Sequence, residues 1–372
     1  MAWGQPGVSK RQLLENASTA WGSNGVPQTQ NLQQVGILKQ LIMETTGTPT
    51  FTPGTGAITA DVLGPYNAYS LISLIPNMQS PLVQTTGYGL ALVNLAKSVE
   101  RESPSLDTTL VSVPNVIAAT DVFAARQTTG TLPWRFALPV PVSQRLAAVG
   151  DIGMFPLGVP QVALQFQFTQ SSSTASSPYT ITGTATQAPY TVTGNATVTL
   201  TSPTVTLVRD MWQVPAKDAD MPPFLFVSTW VEEAYQGNVN GATTGQWSPQ
   251  PISGILARLV TYFIDGSTNQ GPTGTVIGSG SNALQITYDA DVPKISENYQ
   301  DAVTRQRNFY GFDLPQGVFI YDFLNRDLTM QDVMDTSRLG NIKVKFNFAS
   351  ALGSSGSSAK AIRQIISPIE VK

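Results

Sequence analysis

The chain has 372 residues, 12% of them charged and 41% hydrophobic, with a formal net charge of −3 and neither histidine nor cysteine. That length holds two domains or one large one, and it can bury a substantial core. Without His or Cys there is no Ser-His-Asp or Cys-His nucleophile, no disulfide and no ordinary zinc or haem site, so any catalysis would fall to carboxylates, Lys, Tyr and Ser.

In chain order, residues 1–47 read as a helical arm. Ser9-Lys10-Arg11-Gln12 has a capping-box pattern, with Leu13, Leu14, Ala17 and Trp21 following on one face. A second helix is expected over 31–43, where Leu32, Val35, Leu38 and Ile42 fall near helical spacing and Gly47 offers a stop. These helices either pack on the domain they precede or reach a neighbouring subunit or a membrane surface. Only Lys39 and Glu44 charge the second stretch, which lacks the basic face of a membrane-surface helix. No signal peptide and no 18-residue apolar run is visible, so a chain made and assembled in a cytoplasm is expected.

From Thr48 the pattern changes to short runs rich in Val, Ile, Thr, Phe and Tyr, bounded by Gly, Pro, Asn and Ser. Strands are expected at Leu71–Ile75, Gly89–Leu95, Trp134–Val142, Val162–Phe168, Phe224–Val231 and Gly317–Asp322. The absence of a βαβ rhythm points to antiparallel sandwiches. A repeat points to two of them. Phe136-Ala137-Leu138-Pro139 recurs as Phe312-Asp313-Leu314-Pro315, and the alternating run Gln161 to Phe168 recurs in character as Asn341 to Phe348, in the same order at nearly the same offset. The expected division is a first sandwich over 48–170, a crossover over 171–205, a second sandwich over 206–350 and a C-terminal arm over 351–372.

The crossover is unusual in composition. Between Leu146 and Val208 the only charged residue is Asp151, and Pro178-Tyr179-Thr180-Ile181-Thr182-Gly183 is echoed by Pro189-Tyr190-Thr191-Val192-Thr193-Gly194. Thr alternating with Ile, Val or Ala is a strand pattern, so an ordered hairpin is expected after a short Ser-rich lead. An uncharged Thr-rich hairpin left bare invites aggregation, which argues that it is covered. The sequons at Asn16 and Asn195 carry no weight without a secretory signal.

Candidate chemistry is sparse. Two carboxylates could hydrolyse a glycoside, but Glu232 and Glu233 are adjacent and would point to opposite faces of a strand. Asp218 with Asp220 and Asp289 with Asp291 lack the spacing of a calcium loop. The Gly-rich stretch 266–280 is not followed by Gly-Lys-Ser/Thr, so no phosphate loop is indicated. A helix is expected from Ser296 to Tyr310, with Ser296 as cap, Glu297 at its positive end and Arg305 and Arg307 near its negative end. Those arginines either complement the dipole within the subunit or contact phosphate or a partner carboxylate. Low charge, at about half the ~25% of typical soluble domains, suits faces covered by identical partners. An isoelectric point near 5.1 argues against direct nucleic-acid contact.

The run Val303-Thr304-Arg305-Gln306-Arg307-Asn308-Phe309, followed by Phe312 to Asp322, resembles the end of the second jelly roll in double jelly-roll major capsid proteins of tailless, internal-membrane phages of the tectivirus type. The strand Gln161 to Phe168, its uncharged sequel and the run Asp210-Met211-Trp212-Gln213-Val214-Pro215 are similar to that family's crossover. This chain departs from the family in its Thr-rich hairpin and its fewer charges. The resemblance implies a mainly β fold of two tandem eight-stranded antiparallel jelly-roll sandwiches with an N-terminal helical arm. It further implies a structural, non-enzymatic, cofactor-free subunit of a trimeric, pseudo-hexameric capsomer, with neighbouring capsomers, minor or vertex proteins and an internal membrane as partners. Leu13, Leu14, Trp21, Leu32, Val35, Leu38, Ile42, Arg305, Arg307, Ile362 and Ile366 are then the candidate inter-subunit or membrane-proximal contacts. The competing readings are a trimeric receptor-binding fibre that holds glycans on exposed Trp230, Tyr235 and Trp247, and a carboxylate glycosidase.

Overall fold

A computed structural model describes residues 11–21, 26–61, 63–77, 80–97, 126–146, 150–157, 163–171, 179–182, 185–187, 189–214, 226–248, 254–268, 270–280, 282–288, 292–311, 313–324, 334–335 and 342–368. The first half of the chain supplies β1 (Arg11–Glu15), β2 (Thr19–Ala20), β3 (Gln28–Asn31), β4 (Ile37–Thr52), β5 (Ile58–Ala60), β6 (Tyr69–Pro76) and β7 (Val83–Thr85). Helix α1 (Gly87–Ala96) follows, then β8 (Gly130–Thr131), β9 (Trp134–Pro141), β10 (Gln144–Leu146), β11 (Gly150–Ile152), β12 (Phe155–Pro156) and β13 (Leu164–Gln170). The Thr-rich region gives β14 (Tyr179–Thr182), β15 (Ala185–Gln187), β16 (Tyr190–Val192) and the long β17 (Thr197–Trp212). The second half gives β18 (Phe226–Ala234), β19 (Thr244–Trp247), β20 (Ile255–Ile264), α2 (Gly274–Ile277), β21 (Leu284–Tyr288) and β22 (Val292–Glu297). It closes with α3 (Tyr299–Tyr310), β23 (Val318–Asp322), β24 (Met334–Asp335), β25 (Lys343–Asn347) and β26 (Ser358–Pro368).

Each half forms two facing sheets with one common order. In the first, β1-β17-β4-β9 oppose β3-β13-β6-β7; in the second, β18-β26-β20-β23 oppose β19-β25-β21-β22. The first and last strands of each half lie side by side, and a helix, α1 or α3, enters between the equivalent strands β7 and β9 or β22 and β23. That is jelly-roll topology, present twice. The repeat seen in sequence maps onto it. β13 and β25 are equivalent strands; Phe136 to Pro139 lies inside β9, whereas Asp313 to Pro315 lies in the loop leading into β23, the equivalent of β9. Phe312 falls outside the described residues.

Four expectations are corrected. Residues 11–47 contain strands rather than a helical arm: β4 is paired along its length with β17 and β9, and Leu38, Leu41, Ile42 and Met43 are all buried. Successive apolar residues covered on both faces mimic helical spacing, and the β-branched run Thr45, Thr46, Thr48, Thr50 favours the pleated backbone. Conversely, Gly89–Leu95 belongs to a helix. Thr86 caps α1 by accepting the Gly89 N–H at 3.0 Å, and every residue of the helix is buried, so no polar face betrays the 3.6 period. The cap of α3 is Asn298, whose Oδ1 accepts the Asp301 N–H at 2.8 Å, while Ser296 and Glu297 end β22. Finally, the segment expected as a C-terminal arm contains β26, a central strand between β18 and β20, which buries Ile362 and Ile366. The sandwiches accordingly run from β1 through β17 and from β18 through β26.

The Thr-rich region is paired strand. β14 lies on β17, and β15 and β16 extend through β5 into a small three-stranded sheet. Its apolar side enters the first core, where the Tyr190 ring meets Phe51 edge-on at 5.3 Å.

Candidate functional site

The two sandwiches share a sheet. β7 of the first pairs in parallel with β18 of the second, Trp230 lying opposite Val83 and donating its backbone N–H to Leu82 O at 2.7 Å. One continuous sheet therefore runs from β3 to β23, and strands of the second half are covered on both faces. Period-two alternation sorts their side chains: Leu259, Phe263, Phe319, Tyr321, Ala361 and Ile365 enter the second core, while Val260, Tyr262, Val318, Ile320 and Ile362 join the first. Two polar clusters are embedded in this seam.

The first cluster centres on Glu232 of β18. Its carboxylate accepts the Thr86 N–H at 2.8 Å, the Thr85 hydroxyl at 2.6 Å, the Thr86 hydroxyl at 2.9 Å and the Tyr262 hydroxyl at 2.8 Å, and it pairs with Lys360 Nζ at 2.9 Å. The donors come from β7, the start of α1, β20 and β26, so the group sits where the macrodipole of α1 favours an anion. Burial alone would raise its pKa, but the Lys360 charge and the hydrogen bonds from Thr85 and Thr86 outweigh it and hold the carboxyl below its ordinary value. Burial and the neighbouring Glu232 charge push the Tyr262 phenol well above its ordinary value. A carboxylate so fully engaged is an anchor rather than a proton shuttle. Glu233, one residue on, points to the other face and pairs with Arg363. The two cannot act as a glycosidase pair, as their adjacency in the strand requires.

The second cluster centres on Arg258, the sole charge within β20. It pairs with Asp322 at 2.5 Å, both side chains essentially inaccessible, and donates to Gln144 at 3.0 Å and Gln364 at 3.1 Å. Gln364 in turn donates to Gln144 at 2.6 Å and Ser228 at 3.0 Å, and Lys97 reaches Ser143 O at 3.0 Å. Gln144, Ser143 and Lys97 belong to the first sandwich and the rest to the second. Beside the seam opens a cleft of about 470 Å³ lined by Leu63 and Tyr88 of the first sandwich and by Tyr299, Val303, Leu314 and the Arg307–Asp313 pair of the second.

The sequence-predicted contact residues do not converge on one surface. Trp21, Leu32, Leu38, Ile42, Ile362 and Ile366 are buried within the chain; Trp21 donates its indole N–H to Tyr69 OH at 3.1 Å. Leu14 is half-buried, and Leu13 and Val35 are exposed at 55% and 49%. Arg305 is committed internally, paired with Glu297 at 2.6 Å and lying over the Tyr321 ring, whereas Arg307 is exposed in its pair with Asp313 at 2.6 Å. Trp230 and Trp247 are buried and Tyr235 packs on the second core, so these aromatics form no exposed glycan platform. Asp218, Asp220, Asp289 and Asp291 lie outside the described residues. Among the described residues no cluster of three or more carboxylates could hold a metal ion, and no helix is long and apolar enough to cross a membrane. Sequence reading missed Thr85, Thr86, Lys360, Arg258 and Gln144. The available signal was a single charge inside an otherwise apolar strand, as at Arg258.

No protein-family model and no curated protein matches the chain. Solved structures match it along nearly its whole length. The atomic structure of Sulfolobus Turreted Icosahedral Virus superposes with a TM-score of 0.62 at 13% identity, covering 97% of this chain and 90% of that one. The PBCV-1 virus capsid superposes at 0.61 with 8% identity, covering 98% and 95%. The major capsid protein P2 of bacteriophage PM2 superposes at 0.52 with 10% identity, covering 98% and 99%. At such identities the likeness is one of fold, and it spans both sandwiches and their junction: this chain has the double jelly-roll fold.

Proposed function

We propose that this chain is the major structural subunit of an icosahedral virus shell. The observation that carries the reading is the whole-chain likeness, both sandwiches in one arrangement, to the capsid proteins of viruses as different as PM2 and PBCV-1. The physical logic agrees. Three copies of a chain with two matched, rigidly joined sandwiches present six similar units around a threefold axis, a near-hexagonal tile for a closed lattice. The buried Glu232 and Arg258 clusters hold the two units at a fixed angle, which a tile requires. A surface poor in charge and rich in Thr, Ser, Asn and Gln suits faces that meet copies of themselves.

In this reading the protein resides in the virion and acts as a non-enzymatic scaffold without a cofactor. Its partners are neighbouring capsomers, minor and vertex proteins and, by resemblance to the tectivirus type, an internal membrane; assembly takes place in the host cytoplasm. The net charge of −3 supports a shell that does not grip nucleic acid directly. Electron microscopy with mass measurement of the purified protein tests the reading. A hexagonal-outline particle of three times the 39.7 kDa chain mass is expected, and a monomer or an elongated particle overturns it.

A further inference from the structure

Strand β1 is an edge of its sheet among the described residues. Among the described residues it hydrogen-bonds to β17 alone, in the register Arg11↔Trp212 to Glu15↔Val208. The Asn16 N–H donates to Leu207 O at 2.8 Å. Because hydrogen-bonded pairs alternate in an antiparallel ladder, the backbone groups of Gln12 and Leu14 turn toward β17, and those of Arg11, Leu13 and Glu15 turn outward. Leu13, at 55%, is the most exposed large hydrophobic residue among those described, and it sits at the centre of this edge. A free edge with an apolar centre is a template for another strand.

The sequence of the edge specifies which strand. Arg11-Gln12-Leu13-Leu14-Glu15 is complementary to itself when reversed. Antiparallel pairing about a twofold axis through Leu13 sets Leu13 against Leu13 of the partner subunit, and Arg11 against Glu15 of the partner subunit on both sides. Leu13, Arg11 and Glu15 are the three residues whose backbone groups are outward, so this register also matches hydrogen-bonded pair to hydrogen-bonded pair. Leu13 lies on the sheet face that carries Asp210, its opposite on β17, and there Leu13 of the partner subunit covers its exposed side chain. We infer that β1 is an isologous docking strand that joins two copies of this chain edge to edge and makes the sheet β1-β17-β4-β9 continuous across a twofold axis. Such a contact links one trimer to the next in the proposed shell, but it does not depend on that reading.

The chain contains no cysteine, so a single introduced thiol reports the geometry alone. In a hydrogen-bonded antiparallel pair the facing Cα atoms are about 5.5 Å apart, within the span a disulfide bridges. Full-length L13C and, as a control of similar exposure, V35C would be oxidised mildly at equal concentration and weighed under denaturing conditions. L13C is expected to run mostly at twice the chain mass of 39.7 kDa and V35C to remain single. Equal cross-linking of the two, or none in L13C, overturns the inference. In the L13C background E15K should suppress the dimer by setting like charges together, and the exchange R11E/E15R should restore it; a swap that fails to restore the dimer while the protein remains folded by circular dichroism overturns the register. Trimers without the L13C disulfide would sink the edge pairing and leave the shell reading intact. The disulfide without trimers would do the reverse.

Discussion

Glu232 accepts the backbone N–H of Thr86 at 2.8 Å, so a carboxylate of the second sandwich holds the capping residue of a helix in the first. One buried anion thereby ties β7, α1, β18, β20 and β26 together, with the hydrogen bonds from Thr85 and Thr86 crossing between the sandwiches.

Removing that anion leaves Lys360 and four neutral donors facing an apolar seam. E232A is expected to lose about 3–5 kcal/mol of stability, as when one partner of a buried ion pair is deleted. E232Q should lose less because its amide oxygen still accepts. The exposed pair Arg307–Asp313 serves as contrast, and D313N should leave the urea midpoint unchanged. Equal midpoints for E232A and the native chain would show that the cluster does not hold the seam.

The same group sets an acid limb. Its folded pKa lies below the ordinary carboxylate value, so its contribution is complete above about pH 4.3, where the unfolded chain is already ionised, and is lost as pH falls through the folded pKa. Tyr262 acts at the other end, since its raised pKa means stability is complete below about pH 10 and eroded as pH rises beyond it. Denaturation midpoints measured from pH 3 to 7 should fall more steeply toward acid in the native chain than in E232Q. Parallel curves would refute the assignment.

Gly89 provides a steric test of how closely α1 sits on the carboxylate. A Cβ there would lie 2.1 Å from Glu232 Oε2 and 2.3 Å from Thr85 Oγ1. Helix propensity favours alanine over glycine by about 1 kcal/mol, yet G89A should be net destabilising, by about 1–3 kcal/mol, because the seam must open to admit the methyl group. A thermal midpoint at or above that of the native chain would contradict this packing.

For the Arg258–Asp322 pair, R258A is expected to cost about 3–5 kcal/mol by stranding Asp322 in the interior. The double variant R258M/D322L should recover part of the loss, limited by the amide oxygens of Gln144 and Gln364, which then lose the guanidinium as a donor. The coupling energy from the four-member cycle should exceed about 1 kcal/mol. Strict additivity would mean the two residues act independently.

Much of the fold was legible where the physics is local. Trp134–Val142, Leu71–Ile75 and Gly317–Asp322 carry the β-branched and aromatic composition of strands and form them. The opposite orientation of Glu232 and Glu233 followed from the period of two alone. Periodicity misled where an element is covered on every side. β4 is buried on both faces and α1 around its whole circumference, so neither shows the polar stripe that distinguishes a strand from a helix.

The amino-acid sequence by itself determined the class of protein: no His or Cys chemistry, two duplicated β units, and a sparsely charged surface of Thr, Ser, Asn and Gln, because composition and alternation act residue by residue. Tertiary structure alone decided where the units meet. Glu232, Thr86, Tyr262 and Lys360 are scattered along the chain; the antiparallel pairing of β18, β26 and β20 gathers Glu232, Lys360 and Tyr262, and the parallel pairing of β7 with β18 adds Thr86. The same packing turned the supposed N-terminal arm into β1 to β4 and the supposed C-terminal arm into β26, since an apolar segment adopts whichever backbone lets its neighbours satisfy its hydrogen bonds and cover both its faces.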